Sequence, residues 1–272
     1  MQYDPIKRSL GKFFNSAPIL RISFYKMLDL LFLRAWYVNN ELRKLAAEKN
    51  GPINILDAGS GYGQYSYRMA KLFPKAQILG LEVKTEQIED CNNFFSLQGL
   101  GDRVKFGYAD LTNFESDQKY DLIISIDVME HIEDDISVLK NFNKVLKDDG
   151  LLLINTPSDA GDHDEEEHEH DASAAFVDEH VRDGYNIEDI KEKLKLAGFS
   201  KVDAKFTYGK PGRLAWKLSM KWPIIILNVS KLFFILLPFY YIIAYPIAAI
   251  LNYIDTKGTH SVGNVLMVKA RK

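Results

Sequence analysis

ILDAGSGYGQY, residues 55–65, opens as an apolar run and then places glycine at every second position: Gly59, Gly61 and Gly63. An apolar run bounded by glycines reads as a buried strand, and residues 64–72 after it have helical spacing. Glycine suits such a strand-to-helix turn because a Cβ would hold the backbone away from a ligand and would penalise positive φ. The dinucleotide fingerprint of dehydrogenases is G-x-G-x-x-G, but the third position after Gly61 is Gln64, so the pattern here is G-x-G-x-G.

Working outward, short runs rich in Val and Ile alternate with segments of helical period from Ile53 to Ala204, the pattern of β-α units and a parallel sheet. Strands are expected at 54–58, 77–83, 104–109, 120–127, 150–155, 201–208 and 264–270. Helices are expected at 64–72, 85–98, 132–146 and 187–197. Gly99, Gly150 and Gly198 mark helix ends or strand starts, and Asn186 with Asp189 reads as a capping pair. Ahead of the sheet, residues 23–45 read as one long helix with Lys26, Asp29, Arg34, Glu41 and Lys44 on one strip. Its wide apolar face calls for packing, a role as a lid, or lipid. No fixed repeat period is visible, which argues against a solenoid or propeller.

The acids after the glycines separate the remaining possibilities. Glu82 ends the second strand, nineteen residues beyond Gly63, where a carboxylate can accept both hydroxyls of a ribose. Asp110 follows the third strand in GYADL (107–111) and can accept from an adenine amino group while Leu111 donates its backbone N–H. With Asp57 just before the glycines, this order resembles the class I S-adenosylmethionine-dependent methyltransferases over residues 53–206 and again over 264–272. The resemblance implies a Rossmann-like, mostly parallel α/β sheet of seven strands with flanking helices and an antiparallel last strand. It places Gly59, Gly61 and Gly63 with Asp57 beside the methionine part of S-adenosyl-L-methionine, Glu82 on the ribose, and Asp110 with Leu111 on the adenine. SIDVMEHIEDD (125–135) matches the family's D-V-x-E-H-I pattern, which puts Ser125, Ile126 and Asp127 beside the cofactor's amino end.

Methyl transfer from a sulfonium is an in-line displacement, so a protein contributes chiefly alignment in a dry pocket. An oxygen acceptor must also lose a proton, to a base or with help from a metal. His131 and His180 are the candidate bases. Asp127, Glu130 and His131 form a D-x-x-E-H group similar to the E-x-x-E-H of ubiquinone-pathway O-methyltransferases, which is associated with a divalent metal; residues that shape the cofactor pocket and start a helix are the other reading. The segment 176–199 resembles the family's lead-in to the last large helix and offers Arg182 and Tyr185 on the substrate side, or as packed surface.

DHDEEEHEHD (162–171) carries seven acids and three histidines, so the rest of the chain sums to about +4 against a total of -3. His168 and His170 could reach one divalent ion; a solvated loop is the plainer reading. No basic stripe interleaved with aromatics stands out before the C-terminal region, which weighs against nucleic acid as a partner. Cys91 is the only cysteine, which excludes an internal disulfide and fits a reducing compartment. The first twenty residues lack a secretory signal pattern, so the globular part is expected in the cytoplasm.

Most such enzymes need a short turn between the last two strands, but here more than fifty residues intervene. GKPGRLAWKLSMKWP (209–223) spaces Arg213, Lys217 and Lys221 four apart beside Trp216 and Trp222, as a helix at an anionic membrane surface would. LFFILLPFYYIIAYPIAAIL (232–251) then runs twenty residues without a charge, long enough to cross a bilayer. If the flanking strands pair in one sheet, as the resemblance implies, a single crossing would leave the last strand outside, which favours a dipping hairpin or a cover over the enzyme's own pocket. A buried helical subdomain or dimer interface is the other reading. Pro238 and Pro246 should break or kink any helix there, and Tyr240, Tyr241, Tyr245 and Tyr253 could stand at headgroup level.

The expectation is therefore three parts: an N-terminal helical cap (1–50), an S-adenosylmethionine-binding methyltransferase domain (51–208 with 263–272), and a hydrophobic insertion (209–262) that associates with membrane or covers substrate. Function follows as methylation of a lipophilic small molecule, a quinone precursor, aromatic or lipid, at the inner face of a membrane. O-methylation is favoured, with C- or N-methylation as the alternative. A nucleotide-dependent oxidoreductase and a noncatalytic membrane adaptor are the readings from other classes.

Overall fold

A computed structural model describes residues 18–49, 51–160, 181–230 and 234–272. In chain order the elements are α1 (Pro18–Leu31), α2 (Leu33–Glu48), β1 (Asn54–Ala58), α3 (Gln64–Leu72), β2 (Gln77–Glu82), α4 (Thr85–Leu97) and β3 (Val104–Tyr108). A 3-10 turn (Leu111–Asn113), β4 (Tyr120–Ile126), a second 3-10 turn (Met129–His131), α5 (Asp135–Val145) and β5 (Leu146–Pro157) follow. After residue 180 come α6 (Ile187–Leu196), β6 (Lys201–Thr207), α7 (Lys210–Trp216), a π-helical segment (Lys217–Lys221), α8 (Trp222–Val229), α9 (Leu237–Lys257) and β7 (Val265–Arg271).

The seven strands form one sheet in the order β3-β2-β1-β4-β5-β7-β6. Pairings β1–β2, β1–β4, β2–β3 and β4–β5 are parallel. The Ser200 N–H donates to the Arg271 carbonyl and the Asn264 N–H to the Tyr208 carbonyl, so β7 runs antiparallel to β6. The expected seven-stranded Rossmann-like α/β sheet is thus the one observed. Strand order reverses between β1 and β4, the switch point outside whose carboxyl ends ligands bind in open α/β sheets.

Burial explains the strand assignments. In β1 and β4 nearly every residue is buried on both faces, as central parallel strands require, whereas β6 alternates exposed and half-buried positions, as an edge strand does. The Asn186 side chain accepts the N–H groups of Glu188 and Asp189, which is the cap expected at the start of α6.

Two compact units divide the chain. One holds most of the sheet: residues 39–157, 181–205 and 266–272. Its core is built from both faces of β1, β4 and β5, with Met69, Cys91, Phe95, Leu139 and Phe142 of the covering helices fully buried. The described part of the other comprises residues 18–38, 158–160, 206–230 and 234–265.

In this second unit the structure corrects two expectations. The single helix expected over 23–45 is two, broken at Phe32. At the break the Arg34 N–H donates to the Tyr208 hydroxyl (2.8 Å) and the Trp36 indole to the Leu30 carbonyl (3.1 Å), so groups released from the helical ladder find other partners. Conversely, α9 runs unbroken through Pro246, while Pro238 sits in its first turn, where a missing N–H costs no helical bond.

Candidate active site

The glycine loop adopts the backbone its composition predicts. Gly59, Gly61 and Gly63 have φ of 80°, 50° and 76°. They differ in what surrounds them. An ideal Cβ on Gly59 would overlap the Val128 methyl groups, whereas one on Gly61 would meet nothing within 4 Å. Gly59 is therefore required for the close approach of the loop after β4, and Gly61 borders open space. Gly63 caps α3.

Glu82, at the end of β2, accepts the Gly61 N–H through Oε2 at 3.0 Å and the Val83 and Lys84 N–H groups through Oε1 at 2.9 and 3.2 Å. A carboxylate has about four lone-pair sites, so one remains for a further donor. Asp57 lies beneath the loop, 3% exposed, and its Oδ2 accepts the Ser66 hydroxyl at 2.6 Å. Burial pushes its pKa up to about 7, with the Glu82 charge adding to the rise and the Ser66 bonds opposing it. Asp110 is exposed; its Oδ1 accepts the Thr112 N–H and hydroxyl, bonds that hold it below the usual carboxylate range. Leu111 is buried, and its carbonyl is held by the Asn141 amide at 3.1 Å.

At the end of β4, Ser125 and Ile126 are buried and Asp127 has a φ of 54°. The Asp127 N–H donates to the Asn155 carbonyl at 2.9 Å, which ties the loop after β4 to β5. Near the ends of these two neighbouring strands stand polar atoms with nothing to bond. The Ser125 hydroxyl and both side-chain atoms of Asn155 are buried without a hydrogen-bond partner among the described residues. Such orphans are rare in native interiors and call for water or a ligand. Asn155 did not emerge from the sequence, where it reads as the polar end of an apolar strand. Ser66 was missed likewise, because nothing in a helix sequence says which serine faces a buried acid.

Asp127, Glu130 and His131 do not come together as one ligand set. Glu130 is 1% exposed and turns inward, its Oε2 accepting the Thr156 hydroxyl at 3.0 Å, while His131 is exposed on the 3-10 turn. No group of three His, Cys, Asp or Glu side chains able to hold a metal occurs among the described residues. His180, the other candidate base, and the acidic run with His168 and His170 lie outside the described residues.

Arg182 and Tyr185 belong to a packed ion cluster. Asp135 Oδ2 accepts from Arg182, from the Tyr185 hydroxyl (2.7 Å) and from Lys193 (2.9 Å). Burial alone would raise the Asp135 carboxyl, but bonds and charge from Lys193, Tyr185 and Arg182 hold it below the usual range. Tyr185 is 1% exposed, its hydroxyl bound inward, so it supports the fold beneath the site. A separate cleft of about 670 Å³ is lined by Glu41, Lys44, Lys195, Lys201, Lys269 and others, and contains none of the glycine-loop residues.

A protein-family model described as a methyltransferase domain matches residues 49–203. The chain belongs to this methyltransferase family. The class I S-adenosylmethionine-dependent assignment that the glycine loop suggested holds, and S-adenosylmethionine is the cofactor. The methyltransferase is 28% identical over 149 residues to (S)-coclaurine N-methyltransferase of Papaver somniferum, covering 55% of this chain and 39% of that protein. It is 27% identical over 139 residues to the ubiquinone biosynthesis O-methyltransferase of Actinobacillus pleuropneumoniae, covering 48% and 56%. The matched part thus spans about half or less of these curated relatives. Among solved structures, the Haemonchus contortus phosphoethanolamine N-methyltransferase 2 complex with S-adenosyl-L-methionine superposes with a TM-score of 0.62 at 19% identity, over 94% of this chain and 57% of that one, a likeness of fold.

The residues present fit the cofactor. Open space lies over Gly61, Glu82 has lone-pair capacity to spare, and orphaned polar atoms stand at the ends of β4 and β5.

Proposed function

We propose that this methyltransferase methylates a lipophilic small molecule at a membrane, with oxygen as the favoured acceptor atom. The observation that carries the transfer reaction is the Glu82–Gly61 hydrogen bond beside open space, at the strand ends where the fold places ligands. In this reading Glu82 accepts a ribose hydroxyl, Asp110 and Leu111 meet the adenine, and the loop of Gly59, Gly61 and Gly63 with Asp57 lies along the methionine part. Ser125, Ile126 and Asp127 border the amino end, and the orphaned Asn155 amide gives that end one further polar partner.

S-adenosylmethionine, when bound, supplies a methyl group on a sulfonium. That methyl would pass to an acceptor oxygen by in-line displacement, the carbon–sulfur electrons remaining on sulfur. The chain aligns the reactants and excludes water. His131 or His180 takes the proton released by a hydroxyl acceptor. A ubiquinone-pathway O-methyltransferase among the relatives supports oxygen, while N-methyltransferases among them support nitrogen as the alternative.

The lipophilic acceptor and a peripheral place at the inner face of a membrane are supported by the long uncharged segment in the same chain, of which α9 is apolar and long enough to span. The three-part division into cap, methyltransferase domain and insertion belongs to the same proposal. The experiment is to incubate the protein with methyl-labelled S-adenosylmethionine and a total lipid extract, and to identify labelled products by mass spectrometry. Label in an apolar ether or ester supports the reading. Label confined to water-soluble amines favours the N-methyltransferase alternative, and no label in any fraction overturns both.

A further inference from the structure

The helical insertion has its polarity turned inside out. The residues of α9 that are buried are Ala244, Ala248, Asn252 and Asp255, small or polar side chains. The residues it exposes are large and apolar: Phe239 at 66%, Ile242 at 70%, Ile243 at 71%, Ile247 at 48% and Ile250 at 62%. These recur at three- and four-residue intervals, so they form one continuous row along the helix. A helix in water has the opposite arrangement.

Contact partners explain the inner row. α9 packs on α7 and the π-helical segment, where Gly212, Ala215 and Ser219 are the buried residues. A Cβ on Gly212 would lie 2.7 Å from Asp255 Oδ2, so the approach depends on glycine. Close packing through small side chains is how helices associate when their surroundings are already apolar. Several polar groups inside the seam bond across it, while the Ser219 hydroxyl and Asn252 Oδ1 are buried without a partner among the described residues. Tyr240 and Tyr241 donate their hydroxyls to the Leu218 and Ser219 carbonyls at 2.6 and 2.7 Å, serving carbonyls of the π-helical segment. Asp255, fully buried, accepts the Gly212 N–H at 2.8 Å and the Tyr37 hydroxyl at 2.6 Å. These bonds direct the Tyr240 and Tyr241 hydroxyls into the seam.

Charge is segregated in the same sense. Residues 209–262 hold six Lys and Arg (210, 213, 217, 221, 231, 257) and one acid, Asp255, a balance of +5, which leaves -8 for the rest of the chain. The only negative charge of the insertion is sealed in its seam.

We propose that the outer row of α9 docks in the plane of an anionic lipid surface, its large side chains in one leaflet and the insertion's basic residues against the headgroups. This rests on the membrane association proposed above and names the surface that makes it. A single crossing is excluded because Gly212 and Asp255, near the two ends of the insertion, are hydrogen-bonded to each other and its flanking strands β6 and β7 are neighbours in one sheet. Burying an amphipathic face while basic residues meet anionic lipid is the physics of interfacial helices.

The test is flotation of the full chain with phosphatidylcholine vesicles containing phosphatidylglycerol, and with phosphatidylcholine alone. The wild type should float with the anionic vesicles, less with neutral ones, and less at high salt. The double variant Ile243→Glu, Ile250→Glu should lose at least about tenfold in partitioning, with unchanged S-adenosylhomocysteine binding as the check on folding. A second measurement covers a variant that misfolds: a polarity-sensitive dye on Ile250→Cys should shift to the blue on adding anionic vesicles. Equal flotation of wild type and double variant, or a dye that does not respond, overturns this face while leaving membrane association standing. Failure of the wild type to float overturns both. A wild type that does not float but dimerises, with the double variant monomeric, assigns the row to a second copy and also overturns the proposal.

Discussion

Ser66 on α3 donates its hydroxyl to Asp57 at 2.6 Å, and its bonds are what this buried carboxyl near the end of β1 has in place of water. Asp57 keeps its proton in the folded protein up to about pH 7, whereas an unfolded aspartate releases it near about pH 4. Between these values the native state holds more protons, so this group's contribution to stability falls as pH rises. Urea denaturation across that window should show the wild type losing about 3 kcal/mol relative to Asp57→Asn. A difference that does not vary with pH would show that the carboxyl is ordinary.

Gly59 and Gly61 should fail in different ways. Gly59→Ala forces a Cβ into Val128 at positive φ, and should cost about 2–4 kcal/mol of stability. Gly61→Ala pays strain of about 1 kcal/mol but places its methyl where the cofactor would lie, so it should retain the fold and lose most S-adenosylhomocysteine affinity. Thermal melts and calorimetry on the two variants separate these effects; equal loss of binding at equal stability would contradict the assignment.

Asp135 gathers Arg182, Tyr185 and Lys193 under the site. Its lowered pKa means the stability it confers is present above the unfolded value near about pH 4 and is lost as pH falls through the folded one. Asp135→Asn should therefore cost about 2 kcal/mol at neutral pH, discounted for partly exposed partners, and nothing in strong acid. Tyr185→Phe should cost about 1 kcal/mol with little change in cofactor affinity, which denaturation and calorimetry would read directly.

The sheet was legible because β1, β2 and β4 are largely apolar runs that end at a glycine or an acid, a pattern that burial on both faces favours. The cofactor edge was legible for the same reason: Asp57, Glu82 and Asp110 interrupt apolar runs at strand ends. What escaped the sequence depends on pairs distant along the chain. The break at Phe32 is supported by Tyr208, 174 residues beyond Arg34, and the unbroken course of α9 past Pro246 accompanies a seam with α7. Whether Tyr185 meets substrate or packs into the fold is decided by its bond to Asp135, fifty residues away. Periodicity reports which face is apolar, and it cannot report whether water, protein or lipid covers that face.

Asp255→Ala should release the buried Gly212 N–H, while the Tyr37 hydroxyl keeps the Asp255 backbone carbonyl at 2.7 Å. That one unsatisfied N–H costs about 1–3 kcal/mol, so the insertion should open before the sheet unfolds. Hydrogen exchange should show faster exchange in α7 and α9 with β1 and β4 unchanged; protection lost evenly across the chain would mean that the seam is no separate unit.

The central claim is that the glycine loop and Glu82 hold S-adenosylmethionine. Calorimetric titration with S-adenosylhomocysteine and, separately, with NADH on wild type and Glu82→Ala tests it most directly. The account predicts saturable binding of S-adenosylhomocysteine, none of NADH, and at least about tenfold weaker S-adenosylhomocysteine binding in the variant, the loss of a hydrogen bond to a charged group. Binding of NADH in its place, or S-adenosylhomocysteine affinity indifferent to Glu82, would contradict it.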